Sequence, residues 1–261
     1  MDSLETSYWF IFSNQHLWVK QAKDGVVEIP YQKQSPIDGA VAFEFAMPDG
    51  TVCKALQTSC AAEDAGFLLI GLRDSYERLP YALYLSAGKA YELLYWDAHS
   101  RFCSTCGGRM ERHTEISKRC VSCGREVWPS PSVAMIVLVQ RGDEVLLVQA
   151  KNFKGDYLGL VAGFVETGET LEECVKREVW EETGVQITNI RYFASQPWPY
   201  PCGLMVGFFA DYVAGELNLQ MSELNKGGWY HRDHLPAIPS KLSMARMLID
   251  AWVKNGACQT R

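Results

Sequence analysis

The 261-residue chain contains no run of about 18 apolar residues, so no segment is expected to cross a membrane as a helix. Its opening residues, MDSLETSYWF, are acidic and lack the basic stretch that begins a signal peptide. Internal repeats and low-complexity tracts are also missing, which argues against a solenoid or a disordered chain. With 48% apolar residues and a net charge of −6, the chain has the material for buried cores, and its length suits about two domains. A soluble cytoplasmic protein is expected.

Nine cysteines could indicate disulfides, but the number is odd and four of them form paired knuckles. Reduced thiols and a metal fit better. The knuckles are Cys103-x2-Cys106 and Cys120-x2-Cys123, thirteen residues apart, followed by Gly107-Gly108 and Gly124, which suit tight turns aiming both sulfurs at one ion. Four thiolates predict tetrahedral Zn²⁺ with no open position, hence a structural metal. His99 and His113 lie nearby and read as surface histidines. Residues 99–126 hold six Lys or Arg against three Glu, a face that could touch phosphate or RNA but is more simply solvated.

Residues 163–185, GFVETGETLEECVKREVWEETGV, carry the most chemical information. Thr170 with Glu173 three positions on is a capping box, and Gly184 suits a C-terminal stop, so a helix is predicted over Leu171–Thr183. Leu171, Val175, Glu178 and Glu182 share one stripe of it, with Glu181 beside them. An apolar stripe running into carboxylates is unfavourable unless a hard cation such as Mg²⁺ takes their oxygens. The order glycine, five residues, Glu169, seven residues, Arg-Glu-Val-Trp-Glu-Glu-Thr-Gly-Val resembles the Nudix box at every defined position. That resemblance implies a hydrolase of nucleoside diphosphate linkages in which Arg177 orients the glutamates by ion pairing.

Downstream, Ser195-Gln196-Pro197-Trp198-Pro199-Tyr200-Pro201 alternates prolines with aromatics, predicting a stiff, extended segment that displays flat ring surfaces for stacking. With the box and the upstream four-cysteine ribbon, it resembles the SQPWPFPxS signature of the bacterial NADH pyrophosphatases. Tyr200 stands where the signature has Phe, Gly203 where it has Ser, and Trp128 where the family has Tyr. The resemblance implies hydrolysis of NAD(H) to nicotinamide mononucleotide and AMP, removal of NAD caps from RNA, and a homodimer whose sites borrow partner residues. It places catalytic Mg²⁺ or Mn²⁺ on Glu178, Glu181, Glu182, Glu223 and the carbonyl of Ala162. It places substrate contacts on Gln196, Pro197, Trp198, Pro199, Tyr200, Pro201, Cys202, Gly203, Phe164, Glu115, Trp128, Ala245, Lys20 and Arg73. The general base stays open among Glu181, Glu182 and Glu223. Two alternatives are a Nudix hydrolase of another dinucleotide, such as ADP-ribose or a dinucleoside polyphosphate, and a zinc-ribbon nucleic-acid regulator.

The expected architecture is α/β: a Nudix α/β/α sandwich with a mixed sheet over 127–261, a zinc ribbon over 99–126, and an N-terminal α+β domain over 1–98. Strands are predicted at Tyr8–Phe12, Val41–Phe45, Phe67–Ile70, Val133–Val139, Val145–Gln149, Tyr157–Val165, Ile190–Ala194 and Leu204–Val213. Helices are predicted at Ala87–His99 and Ser243–Val253, with a hairpin turn at Arg141-Gly142-Asp143.

Overall fold

The computed structural model describes residues 5–21, 26–62, 66–152 and 155–259, with side chains to 255. The chain divides into two units, Met1–Pro131 with Trp198–Cys202, and Ser132–Pro197 with Gly203–Arg261.

In the first unit, apolar residues on short strands build one sheet. Its strands are β1 (Ser7–Ser13), β2 (His16–Gln21), β3 (Val27–Glu28), β4 (Tyr31–Gln32), β5 (Phe43–Ala46), β6 (Val52–Gln57) and β7 (Leu68–Gly71). The order is β3-β2-β1-β6-β5, with β4 paired to β1 and β7 to β2, and β1 runs parallel to β6. Helix α1 (Tyr81–His99) follows, buries Ala87, Ala90, Leu93 and Leu94, and packs on β1, β5 and β6. It begins six residues before the predicted Ala87, directly after Pro80, whose fixed φ suits a helix start. The aromatic Tyr81 and Tyr84 and the weak helix former Ser86 mask the stretch before Ala87 in sequence. Strands β2 and β6 were not expected, and the strand expected from Val41 begins at Phe43. A three-stranded ribbon, β8 (Met110–Thr114), β9 (Ser117–Cys120) and β10 (Glu126–Val127), completes the unit in the order β10-β9-β8.

The second unit is built around β11 (Ser132–Arg141), a nearly unbroken apolar run. Such a strand must be covered on both faces. Met135, Val137 and Val139 point into one core with Cys174, Val175 and Val179 of α2 (Leu171–Thr183). The alternate residues Ile136 and Leu138 enter a second core with Met244, Leu248, Ile249 and Trp252 of α3 (Met244–Gln259). Alternation along one strand therefore puts a helix on each face, an α/β/α sandwich. The sheet holds β12 (Glu144–Ala150), β13 (Val161–Phe164), β14 (Gln186–Trp198), β15 (Gly203–Ala214) and β16 (Leu224–His231). Its order is β14-β15-β11-β12-β16, with β13 paired to β11. It is mixed, because β11 is parallel to β15 and antiparallel to β12 and β13.

The predicted hairpin turn is present, with Gly142 at φ 59° between paired Arg141 and Glu144. The strand expected over Tyr157–Val165 shortens to β13, although Gly159 still bridges to Val148. The strand expected over Ile190–Ala194 extends instead through Trp198. Among the described residues, no helix is long and apolar enough to cross a membrane.

Candidate active site

Helix α2 takes the predicted bounds because both ends are closed by side chain and backbone. Thr170 accepts the Glu173 amide at 3.2 Å, the Glu173 carboxylate accepts the Thr170 amide at 2.7 Å, and Gly184 adopts φ 69° at the C-cap. That helix aims one stripe of side chains at the sheet, so Val175 and Val179 are fully buried and Glu182 is only 6% exposed. Glu178 is half-buried beside β13, where Gly163 provides the room: a Cβ there would collide with its carboxylate. Glu181 lies at the exposed edge.

Arg177 organises this group. Its guanidinium donates to Glu169 at 2.6 and 3.0 Å, to Glu178 at 2.9 Å, to Glu181 at 3.1 Å and to the Phe164 carbonyl at 3.1 Å. A planar fork with five donors suits that bridging role. Glu169 is also held by the Glu166 amide, and these bonds lower its pKa to about 2. The anchor of Arg177, Glu169, is identified by these bonds and not by the box resemblance, which of the pair assigns a role to Arg177 alone. The fixed eight-residue spacing between them was the available signal.

Electrostatics separate the members of the cluster. Burial, followed by the like charges of Glu178 and Glu223, raises the Glu182 pKa to about 8. Glu178 is also raised, chiefly by burial, which outweighs the opposing pull of Arg177. Glu223 lies in the turn before β16, and its charge reaches both Glu178 and Glu182. Carboxylates gathered this way are uncomfortable as bare anions and comfortable as oxygen ligands to a hard divalent cation. Ala162 is on β13 directly before Gly163, paired with Ile136, so its carbonyl is on the strand facing this helix. The second unit thus brings together Glu178, Glu181, Glu182, Glu223 and Ala162's strand. Phe164 ends that strand and is 65% exposed. Ala245 lies at the start of α3 with its methyl buried in the core.

Gln196 and Pro197 belong to the second unit, where Gln196 donates to the Leu242 carbonyl at 2.8 Å and its buried side-chain oxygen meets no hydrogen-bond partner among the described residues. Gly203 opens β15 opposite Ser132. The next residues, Trp198–Cys202, belong to the first unit, and the segment is extended only through Trp198 before turning, with the Tyr200 amide on the Trp198 carbonyl at 2.7 Å. Pro199 is buried against Gly88 of α1. Arg73, two residues past β7, lies over the Tyr200 ring at 4.4 Å and the Trp198 ring at 5.1 Å. Lys20 is on β2 with its ammonium 5.7 Å from the Phe67 ring centroid. Trp128 is 53% exposed just past the ribbon. Glu115 sits in the β8–β9 turn and helps line a groove of about 530 Å³ with Phe45, Arg112 and His113.

The four ribbon cysteines converge as their spacing requires. Their sulfurs all lie within 4.8 Å of one another, with Cys103 and Cys123 at 3.6 Å and Cys106 and Cys120 at 3.5 Å. A tetrahedral ion with Zn–S bonds near 2.3 Å sets sulfurs about 3.8 Å apart, so the cluster could hold a metal ion. Gly107 and Gly124 take φ 73° and 75° at the turns between and after the ligands. Among the described residues, this is the one group of His, Cys, Asp or Glu drawn that tightly together.

Two sequence families match. Residues 129–250 match the NUDIX domain, and residues 6–96 match the NADH pyrophosphatase-like rudimentary NUDIX domain. The sandwich resembles a NUDIX hydrolase from Nitrosomonas europaea at TM-score 0.52 and 22% identity, over 60% of this chain and 93% of that one, a likeness of fold. The NAD-capped RNA hydrolase NudC of Pectobacterium carotovorum is 34% identical over 95% of this chain and 93% of its own length. The protein of that name from Pseudomonas aeruginosa LESB58 is 45% identical over 66% of this chain, and the alignment spans 63% of its length. The chain belongs to the Nudix family, in the NudC-like group that joins a rudimentary NUDIX domain to a complete one.

Proposed function

We propose that the protein hydrolyses the pyrophosphate of NAD(H) to nicotinamide mononucleotide and AMP and removes NAD caps from RNA. The observation that carries this reading is the Arg177-anchored carboxylate cluster of Glu178, Glu181, Glu182 and Glu223. The NudC relatives, matched nearly end to end in one case, support the choice of substrate. A hydrolase of a different dinucleotide or a zinc-ribbon regulator is disfavoured, since neither calls for an intact box together with the SQPWPYP segment.

In this reading Glu178, Glu181, Glu182, Glu223 and the Ala162 carbonyl would hold Mg²⁺ or Mn²⁺, which when bound would supply charge neutralisation of the diphosphate and a lowered pKa for water. Water adds to phosphorus, the bridging P–O bond breaks, and the water proton passes to one carboxylate among Glu181, Glu182 and Glu223. Arg177 keeps the carboxylates oriented through turnover. Within the second unit, Phe164, Gln196, Pro197, Gly203 and the Ala245 region would contact the substrate; within the first, Trp128, Trp198–Cys202, Arg73, Lys20 and Glu115 would do so. The four cysteines hold a structural Zn²⁺, which closes the ribbon.

The domains we assign are 1–98, the ribbon 99–126, and the Nudix domain 127–261. A homodimer fits the exposed apolar side chains Phe102, Ile116, Val121 and Trp128 on and beside the ribbon. A cytoplasmic location fits a site that needs reduced thiolates. The test is Mg²⁺-dependent product formation from NADH, NAD-capped RNA and ADP-ribose under one set of conditions. Turnover of ADP-ribose alone would overturn the reading.

A further inference from the structure

Tyr200 departs from the Phe of the SQPWPFP signature, and an added hydroxyl in a packed segment needs a partner. It has one. The Tyr200 and Tyr84 hydroxyl oxygens are 2.8 Å apart and share a hydrogen bond between α1 and a residue 116 positions away. Tyr84 is 3% exposed, and burial raises the pKa of both phenols, so the pair is neutral at ordinary pH.

The pair sits inside an aromatic cluster that ends on Trp198. The Tyr200 ring meets the Trp198 indole edge-on at 5.0 Å, the Arg73 guanidinium caps both, and Tyr76 meets Tyr84 edge-on at 5.4 Å. One turn further along α1, a side chain at Gly88 would press on Pro199, so the helix and the segment are in close contact there. These contacts bear on Trp198 or on residues beside it, and the tyrosine pair adds a directional bond between side chains to the Tyr200 amide's bond on the Trp198 carbonyl.

We propose that Tyr84 is a positioning residue: by hydrogen-bonding Tyr200 it fixes the orientation of Trp198, and so sets how tightly the segment stacks on a ring of the substrate. The inference rests on the proposed NAD(H) activity for its substrate and on the geometry above for the coupling. An aromatic pair without hydroxyls would pack in the same space. Losing one hydroxyl is therefore worse than losing both, because a lone buried hydroxyl keeps its desolvation cost.

The test is a cycle of Tyr84→Phe, Tyr200→Phe and the double variant in the full-length, zinc-replete chain. For Tyr84→Phe, KM for NADH should rise about fivefold or more with kcat within about twofold, as expected for loss of binding shared by ground and transition states. The double variant should return to within about twofold of the parent. A second readout needs no activity: in 5-fluorotryptophan-labelled protein, the ¹⁹F resonance assigned to Trp198 by its loss in Trp198→Phe should shift or broaden in both single variants and recover in the double. Unchanged KM and an unchanged resonance in the single variants overturn the inference, as do effects that simply add in the double. If the parent chain does not turn over NADH but the resonance follows the predicted pattern, the proposed substrate fails while the positioning role stands.

Discussion

Gly163 and Glu178 occupy one space: the carboxylate fills the position where any side chain on residue 163 would begin. The opening glycine of the box is therefore a steric requirement of the carboxylate and not a turn residue; it lies mid-strand in β13. Gly163→Ala should displace Glu178 by an ångström or so and lower kcat by roughly 10²-fold, the usual cost of such a misplacement. Circular dichroism and steady-state kinetics on the variant check this. Near-parental kcat would show that Glu178 tolerates the shift.

Removing charge without moving backbone tests the cluster itself. Glu178→Gln and Glu182→Gln should each cut kcat by roughly 10² or more at saturating Mg²⁺, with little change in melting temperature. Glu172 is exposed in the first turn of α2, away from the Arg177 ion pairs, so Glu172→Gln should be nearly silent. Comparable activity in all three variants would remove the metal assignment.

Glu182 also predicts a pH dependence of stability. Its pKa rises from 4.5 to about 8 on folding, so between those values the folded state binds more protons than the unfolded state. Stability of the metal-free protein should fall as pH rises through that window, with the loss complete above about 8. Bound Mg²⁺ replaces the proton, so the gain in melting temperature on adding Mg²⁺ should grow from pH 5 to pH 8. Thermal melts with and without Mg²⁺ give both slopes, and Glu182→Gln should flatten them. Equal slopes in the parent and the variant would assign the effect to other groups.

The ribbon predicts one tightly held Zn²⁺ per chain, since four sulfurs already stand at ligand spacing. Elemental analysis of reduced protein checks the stoichiometry. A chelator strong enough to strip it should lower the melting temperature as well as stop turnover, because such a small ribbon has a core of only Cys103, Met110 and Cys120 with Val127 beside them.

Local chemistry was legible in the sequence and distant chemistry was not. The bounds of α2, its caps and the cysteine cluster follow from contacts within a few residues or from rigid ligand spacing, and all took the expected form. The Tyr84–Tyr200 bond joins positions 116 apart, and nothing in either local sequence marks it. Strands β2 and β6 lacked clear alternation because residues such as Leu17, Trp18 and Val19 are buried consecutively. The SQPWPYP segment was expected to be extended throughout, but Tyr200 folds back onto the Trp198 carbonyl, a turn that the proline pattern alone does not specify.

Trp128 gives the last test. The residue is 53% exposed in a stretch without secondary structure, so it has surface available for stacking. If it stacks on the substrate, Trp128→Ala should weaken NADH use by about 1–3 kcal/mol, the range for losing an aromatic platform under a base. The loss should fall mainly on KM, because a stacked ring contacts ground and transition states alike. Trp128→Tyr keeps a flat ring and should retain most activity. Measuring kcat/KM for both NADH and NAD-capped RNA separates the roles: equal losses place Trp128 on the NAD moiety shared by the two substrates, while a loss on capped RNA alone places it on the RNA chain. No change with either substrate would leave Trp128 as a linker residue between the ribbon and β11.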